Sequence, residues 1–478
     1  MVRQRVRLTL HIVGSFLKYF ALVYIFPLLV AIHYGENWQI YLYSLLLTLG
    51  VGLVLEFAFK TNKEIERPDG FTIVALTWLL IPLFGTLPYL FLGLGFTDSF
   101  FEAMSGFTTT GATILNTPAS EQFFALPRSA LLWRSLTQWL GGMGVITLFI
   151  AVLPRLGVGG SQLFDREFPG AMPERIRPRF STTARLLWTI YAGFTAAQIV
   201  LLYLAAKLPL FDSVCISFAT MPTGGFTPTT ASIAAYANPA AEYIIMVFMF
   251  LAGTNFILHY QVLRGNWKAL KNEEFRLYLI VLVVAVLLLI VSQGLGSYRE
   301  AMFQAISIMT TTGFVTADFG LWHSSAKIVL LALMFIGACG GSTGGAIKVV
   351  RIATLIRYTG VMMRRAISPK AVIPVKYDQK VLQEGTIRDV ISFFFLYILV
   401  ALVASVVLCF LGLDLETSVS AVAATLGNVG PGLGAVGPSL NYALLPDAAK
   451  GILIMLMWLG RLELFTALMI FFPRFWRG

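Results

Sequence analysis

Charge is scarce in this chain: 12% of its 478 residues are Asp, Glu, Lys or Arg, while 57% are hydrophobic. Water-soluble domains carry about a quarter charged residues, so the composition excludes an ordinary globular protein and points to an integral membrane one. Cysteine is nearly missing, and the three present (Cys215, Cys339, Cys409) are scattered in or beside apolar segments. Such spacing builds neither a disulfide framework nor a metal site, and reads as packing. The four histidines are equally dispersed. An intramembrane enzyme needs an activated nucleophile or a metal constellation on facing helices, and the sequence offers none. There is also no basic stripe with interleaved aromatics, which a nucleic-acid reader requires.

What is present is a series of long apolar runs. The first, from about residue 8 to 32, is too long for the apolar core of a signal peptide and no small-residue cleavage site follows it. It reads as a spanning helix, with Lys18 snorkelling or facing a partner helix. A second span covers roughly 38–59. Beyond them, one plan recurs four times: a span, a shorter apolar stretch ending in a Thr/Gly segment, and another span.

The polar segments are FTTTGAT (Phe107 to Thr113), MPTGGFT (Met221 to Thr227), MTTTGFVT (Met309 to Thr316) and TLGNVGPGLG (Thr425 to Gly434). With Gly111, Gly224, Gly313 and Gly430 as equivalent points, the gaps are 113, 89 and 117 residues, a fourfold internal repeat. The apolar stretches before them (98–108, 212–220, 300–309, 414–424) fall well short of the roughly twenty residues that cross a bilayer, so each enters and leaves by one side. The expected fold is an all-α polytopic membrane protein. It has four span–pore helix–span repeats around a pseudo-fourfold pore, plus two N-terminal transmembrane helices. The expected units are 1–68 for the two extra helices, then repeats at 69–178, 179–272, 273–380 and 381–478.

Lys and Arg test that topology. The N-terminus and segments 60–67, 155–185, 264–276, 348–388 and 474–477 hold 27 of the 35 basic residues, while the loops with the Thr/Gly segments are nearly bare. Basic loops stay cytoplasmic, so both termini are expected inside and the Thr/Gly segments enter from outside. The same bias accounts for the net charge of +11.

Irregular backbone at membrane depth survives only where protein buries it or where it lines a watery cavity, so four such segments imply a shared cavity. Re-entrant helices entering from outside aim their partially negative C-termini at one axis, a field that favours a cation. Glycine lets consecutive carbonyl oxygens turn inward and replace a cation's hydration shell, with Thr109, Thr110, Thr311 and Thr312 adding hydroxyls or anchoring the loops. Each short helix also begins with acid (Asp98 and Glu102, Asp212, Glu300, Asp414 and Glu416), placed either to complement the helix dipole or to form a cation-gathering vestibule.

These residues resemble the Trk/Ktr/HKT superfamily of potassium uptake proteins, over 71–478. The Thr109-Thr110-Gly111 and Thr311-Thr312-Gly313 triplets are closely similar to that family's filter pattern, and the two extra helices resemble its bacterial Trk branch. Pro222-Thr223-Gly224 and Asn428-Val429-Gly430 depart from it. Gly224 is preferred to Gly225 as the filter glycine because Gly224 to Thr227 and Gly313 to Thr316 share the spacing Gly-x-x-Thr.

The run Gly337, Ala338, Cys339, Gly340, Gly341, Ser342, Thr343, Gly344, Gly345 should break its helix, and lacks the spacing of a phosphate loop. The resemblance implies that it is a gate beneath the filter, and that Arg461, deep in the last span, is a pore-facing barrier to cations. Glu463 is placed to pair with another buried charge, Lys348 reads as a cytoplasmic end charge, and Arg134 has no assigned role. The resemblance further implies potassium as the only ion handled, no cofactor in this chain, a homodimer in membrane lipid, and a cytoplasmic ring of RCK-type (TrkA-like) nucleotide-binding regulatory subunits. Basic residues 348–388 are a candidate docking surface. A sodium-coupled or weakly selective cation transporter of the same fold is the nearest alternative. An alternating-access solute carrier would instead predict two related halves.

Overall fold

The computed structural model describes residues 2–61, 67–115, 126–152, 180–378 and 380–471. Most of the basic stretch 155–185, most of 60–67 and all of 474–477 lie outside the described residues. The described chain is α-helical apart from one hairpin of two-residue strands, Lys376–Tyr377 and Lys380–Val381. Among the described residues six helices are long and apolar enough to cross a membrane: Gln4–Tyr34, Gln39–Ala58, Asp69–Phe91, Arg185–Leu204, Glu273–Gln293 and Glu384–Phe410.

The four short helices are Phe96–Phe107, Leu210–Thr220, Tyr298–Met309 and Leu415–Leu426, with 12, 11, 12 and 12 residues. At 1.5 Å per residue each runs about 17 Å, roughly half the hydrocarbon thickness. Their inner ends are almost wholly buried, as in Ala103 to Phe107, Ala305 to Met309 and Ala421 to Leu426.

The partner spans of three of the four units depart from the straight helix that hydropathy suggests. Arg128–Val152 is continuous over 25 residues. The second is broken into Pro239–Ala252 and Phe256–Leu263, bent by 101°. Asn255 supplies the break, because its side-chain oxygen accepts from the Ile257 N–H (2.8 Å) and restarts the helix at a new angle. The third stops at Phe335, where the glycine run begins, and resumes as Val349–Ile367. The fourth ends at Arg461 and turns through Glu463 and Leu464, both at positive φ (55° and 48°). All three breaks lie against the Thr/Gly loops, so the freed backbone groups find partners in protein rather than lipid.

The N-terminal helices pack on one another and on the first unit. Gly14 and Gly52 bring two backbones together: a β-carbon on Gly14 would lie 2.6 Å from the Glu56 nitrogen, and one on Gly52 would lie 2.7 Å from that of Lys18. Beside that contact Lys18 Nζ meets Glu56 at 2.7 Å, so Lys18 faces a partner helix. Tyr24 stacks on Trp133 (4.6 Å between ring centroids) and donates to the Phe84 carbonyl at 2.7 Å.

The Lys18–Glu56 pair is about three-quarters buried, so removing one partner strands the other charge at bilayer depth. Lys18→Met or Glu56→Gln alone should cost about 1–3 kcal/mol, discounted for partial exposure. The double variant should cost less than either. Thermal unfolding of the purified protein in detergent measures all three.

Candidate functional site

Each short helix ends in the same backbone device. The N–H of Thr109, Thr223, Thr311 and Asn428 bonds three residues back, and that of Thr110, Gly224, Thr312 and Val429 bonds five residues back, at 2.7–3.2 Å. This is the left-handed helix stop usually assigned to glycine. Here threonine or asparagine adopts it, with φ of 53°, 57°, 60° and 53°. Two residues further on comes a glycine, also left-handed: Gly111 (80°), Gly225 (84°), Gly313 (80°) and Gly430 (105°). Alternation of left- and right-handed residues turns successive carbonyls to one side of the strand, which is what a carbonyl-lined ion path needs.

This periodicity corrects one expectation. Gly225, not Gly224, is the counterpart of Gly111, and the second triplet is Thr223-Gly224-Gly225, with Pro222 one position upstream at the helix end. The shared Gly-x-x-Thr spacing was misleading because it relied on residues beyond the loop, whereas the helix-stop hydrogen bonds define the register.

The four loops close on one another. A β-carbon on Gly111 would sit 2.1 Å from the Gly224 carbonyl oxygen, one on Gly225 2.1 Å from that of Thr312, one on Gly313 2.1 Å from that of Val429, and one on Gly430 2.7 Å from that of Thr110. Every contact runs from the third residue of one triplet to the second of the next, and the fourth returns to the first. Only glycine permits that approach at that φ. The same four glycines line a cavity with about 70 Å³ of water-accessible space, walled further by Thr113, Phe226, Arg134 and Tyr442.

Side chains behind the loops hold them. Thr108 and Thr310 hydroxyls meet those of Thr110 and Thr312 at 2.7 and 2.8 Å. In the second loop, where Gly224 brings no hydroxyl, Gln138 donates to the Gly224 carbonyl (2.6 Å) and accepts from the Phe226 N–H (3.1 Å). In the fourth, Asn428 Nδ2 donates to Thr110 Oγ1 (2.9 Å) and to the Met457 carbonyl (3.0 Å), and Tyr442 donates to the Gly430 carbonyl (2.7 Å). Gln138 and Tyr442 were not expected from the sequence; Gln138 was detectable only as an amide in an apolar span.

The glycine run touches the inner ends of the loops. Gly345 N–H donates to Thr311 Oγ1 (2.7 Å), Thr343 Oγ1 donates to the Met221 carbonyl (3.0 Å), and a β-carbon on Gly345 would lie 2.3 Å from the Gly427 oxygen. Gly341 accepts from Phe256 N–H (3.0 Å) and Gly340 donates to Glu274 (2.5 Å). Ser342 ties the run to itself through the Cys339 carbonyl (2.6 Å), and the Gly337 N–H donates to the carbonyl of Ile347 just beyond it (3.0 Å). Lys348 donates to the Gly344 carbonyl, so it serves the run rather than merely ending a helix. Arg461 donates to Thr343 (2.9 Å), Gly141 (3.0 Å) and Gly142 (3.1 Å) carbonyls, bridging the run to the first unit's span. Glu463 pairs with Arg351, whose guanidinium lies 4.0 Å from the Phe393 ring centroid.

Most of the acids in the first two turns of the short helices are committed. Asp98 meets Lys450 at 2.6 Å, Glu416 meets Lys327 at 3.2 Å, and Asp414 caps its helix by accepting from the Thr417 N–H at 3.0 Å. Glu102 is fully buried against Arg134 at 2.8 Å.

A helical membrane protein with four short re-entrant helices whose loops close into one ring, above an irregular glycine segment, has the architecture of a cation-transport protein. The family profile for TrkH, cation transport protein, matches residues 38–292 and 277–477. Trk system potassium uptake protein TrkH of Halomonas elongata is 37% identical over 486 residues, covering 98% of this chain and 99% of that one. TrkH of Escherichia coli K12 is 38% identical over 98% of both, and TrkG of the same organism 33% over 100% of both. The crystal structure of the potassium transporter TrkH from Vibrio parahaemolyticus superposes with a TM-score of 0.87 at 36% identity, over 98% of this chain and 99% of that one. The chain therefore belongs to the TrkH family: it is a transporter and not an enzyme.

Close helix-to-loop packing gives a direct check. A β-carbon on Gly141 would lie 2.0 Å from the Phe107 oxygen and one on Gly460 2.1 Å from that of Leu426, whereas none meets anything within 4 Å at Gly144. Gly141→Ala and Gly460→Ala should each lose roughly 1–3 kcal/mol of stability through overpacking. Gly144→Ala should melt with the parent protein in detergent.

Proposed function

We propose that this chain carries potassium into the cell across the cytoplasmic membrane, through a single path lined by carbonyls of the four loops. The observation that carries the proposal is the closed ring, in which each left-handed glycine abuts the preceding carbonyl of the next loop. In that ring the filter residues are Thr109, Thr110, Gly111; Thr223, Gly224, Gly225; Thr311, Thr312, Gly313; and Asn428, Val429, Gly430. The names of the relatives support potassium as the ion. Partial charge supports a cation in general, since four helix C-termini converge on the ring.

The repeats at 69–178, 179–272, 273–380 and 381–478 each supply one quarter, and 1–68 lies outside the ring. The glycine run from Gly337 to Gly345 is the gate. Its hydrogen bonds to Thr311 and Met221, and the three carbonyls that hold Arg461, support an obstruction directly beneath the ring. Opening requires breaking those bonds in concert. A cytoplasmic RCK-type nucleotide-binding subunit acting on a homodimer is the proposed source of that work. Both termini face the cytoplasm, as the basic loops imply. The nearest rival is a sodium-coupled transporter of the same fold, because Asn428 and Val429 replace the threonine pair and reduce the number of repeated ligands.

Rubidium uptake in potassium-uptake-deficient cells, with and without sodium, separates the two, since strict dependence on sodium contradicts the proposal. Gly225→Ser should relax discrimination against sodium as strongly as Gly111→Ser, because both force a side chain onto a left-handed residue. Gly224→Ser, which meets the Gln138 side chain instead, should have the smaller effect. Equal effects at Gly224 and Gly225 would count against the register. Shortening the Gly337 to Gly345 run should raise flux in cells lacking the cytoplasmic partner, and an inert, normally folded deletion would remove the gate assignment.

A further inference from the structure

Glu102 and Arg134 form the most buried ion pair among the described residues, with side chains 0% and 4% exposed. Nothing in the filter or the gate as described above uses them. Their contacts have a common destination. Glu102 accepts from Arg134 Nε (2.8 Å), from Thr113 Oγ1 (2.9 and 3.1 Å to its two oxygens) and from the Ile114 N–H (3.1 Å). Arg134 donates also to Thr113 Oγ1 (3.1 Å) and to the Thr227 carbonyl (3.2 Å), and its guanidinium lies 4.2 Å from the Phe226 ring centroid. Thr113 and Ile114 follow Gly111 by two and three positions, and Phe226 and Thr227 follow Gly225 by one and two. The pair therefore grips the outgoing limbs of the first and second loops together, at the wall of the outer cavity.

The other junctions are held differently. The second and third loops meet through Ser232 accepting from the Val315 N–H (3.1 Å) and Ala234 N–H donating to the Val315 carbonyl (3.1 Å), and the fourth reaches the first through Tyr442 N–H and the Thr113 carbonyl (3.0 Å). These loop-to-loop bonds are neutral, and the ion pairs that tie the same units lie at the helix ends instead: Arg299 with Glu242 (2.8 Å), Lys327 with Glu416 (3.2 Å) and Lys450 with Asp98 (2.6 Å), each with one partner more than a third exposed. Charge-assisted hydrogen bonds are roughly twice as strong as neutral ones, and the forked guanidinium fixes direction as well as distance. The most buried charged tie thus sits where the second quarter brings Gly224 in place of a threonine.

We infer that Glu102 and Arg134 are positioning residues for selectivity, holding the first and second quarters of the ring at the spacing that favours potassium over sodium. The inference rests on the filter reading above. Neither residue touches the ion; both act through Thr113, Ile114, Phe226 and Thr227.

The test measures rubidium uptake and its inhibition by sodium for full-length variants in potassium-uptake-deficient cells, with folding checked by elution and thermal melting of each purified protein. The Glu102→Gln/Arg134→Met double variant leaves no lone buried charge. Its ratio of sodium inhibition constant to rubidium KM should fall by about tenfold, the equivalent of one charge-assisted hydrogen bond. Arg134→Lys keeps the charge and loses the fork, so it should fail to restore the ratio. Thr113→Val removes only the shared hydroxyl and should give a smaller fall in the same direction, which decides the matter if the double variant does not fold. Gly111→Ser is the control. If it relaxes selectivity while folded double and Thr113→Val variants keep the parental ratio, the positioning role is overturned and the filter stands. If Gly111→Ser changes nothing, the filter reading itself fails, and this inference with it. A parental ratio in Arg134→Lys would also overturn the role, leaving only a charge at the outer wall.

Discussion

Lipid offers no hydrogen bonds, and that constraint governs this molecule. Four segments leave the helix at bilayer depth, each exposing carbonyls that a hydrocarbon solvent would penalise by several kcal/mol apiece. Each loop uses its neighbour to avoid that exposure. The glycine at the third position of every triplet lets the next loop's carbonyl approach to a distance no β-carbon would allow, and the fourth contact closes on the first. A single loop could not persist in this conformation; four of them can because the strain of left-handed threonine or asparagine is held by packing on all sides.

The same constraint explains the broken partner spans. Four unbroken helices beside the ring would leave fewer backbone partners for the loops' inner ends. The bend after Ala252, the glycine run after Phe335 and the turn after Arg461 put backbone and side-chain donors there. Arg461 is affordable in that position because three carbonyls accept from it. Charged groups recur at the points where one unit must be tied to another: Arg461 beneath the ring, Glu102 and Arg134 above its first junction, Arg351 with Glu463, and Lys450 with Asp98.

Much of this was legible in the chain itself. Composition and run length read as a membrane protein, and the recurrence of Thr/Gly segments after short apolar stretches located the four re-entrant helices to within about two residues. The glycine run was recognisable as a helix breaker because nine nearly side-chain-free residues cannot sustain one. The register of the second loop was misread by one residue. In MPTGGFT two adjacent glycines satisfy any local pattern equally well, and the hydrogen bonds that choose between them reach back into the preceding helix. The bend at Asn255 was also missed, since a hydropathy profile averages over a one-residue cap.

Periodicity, the placement of basic residues and the scarcity of charge, Cys and His are properties of local sequence and of transfer from water to lipid. They determined by themselves that the chain crosses the membrane repeatedly and carries four related irregular segments. Which residues face one another was decided only by the tertiary structure. Gly225 opposes Thr312, Gln138 braces Gly224, and Glu102 meets Arg134 across 32 positions of sequence. The first two pairings follow from closing four units around one axis, and the third from packing a short helix on the partner span of its own unit; no single unit contains the information that specifies its neighbour's backbone.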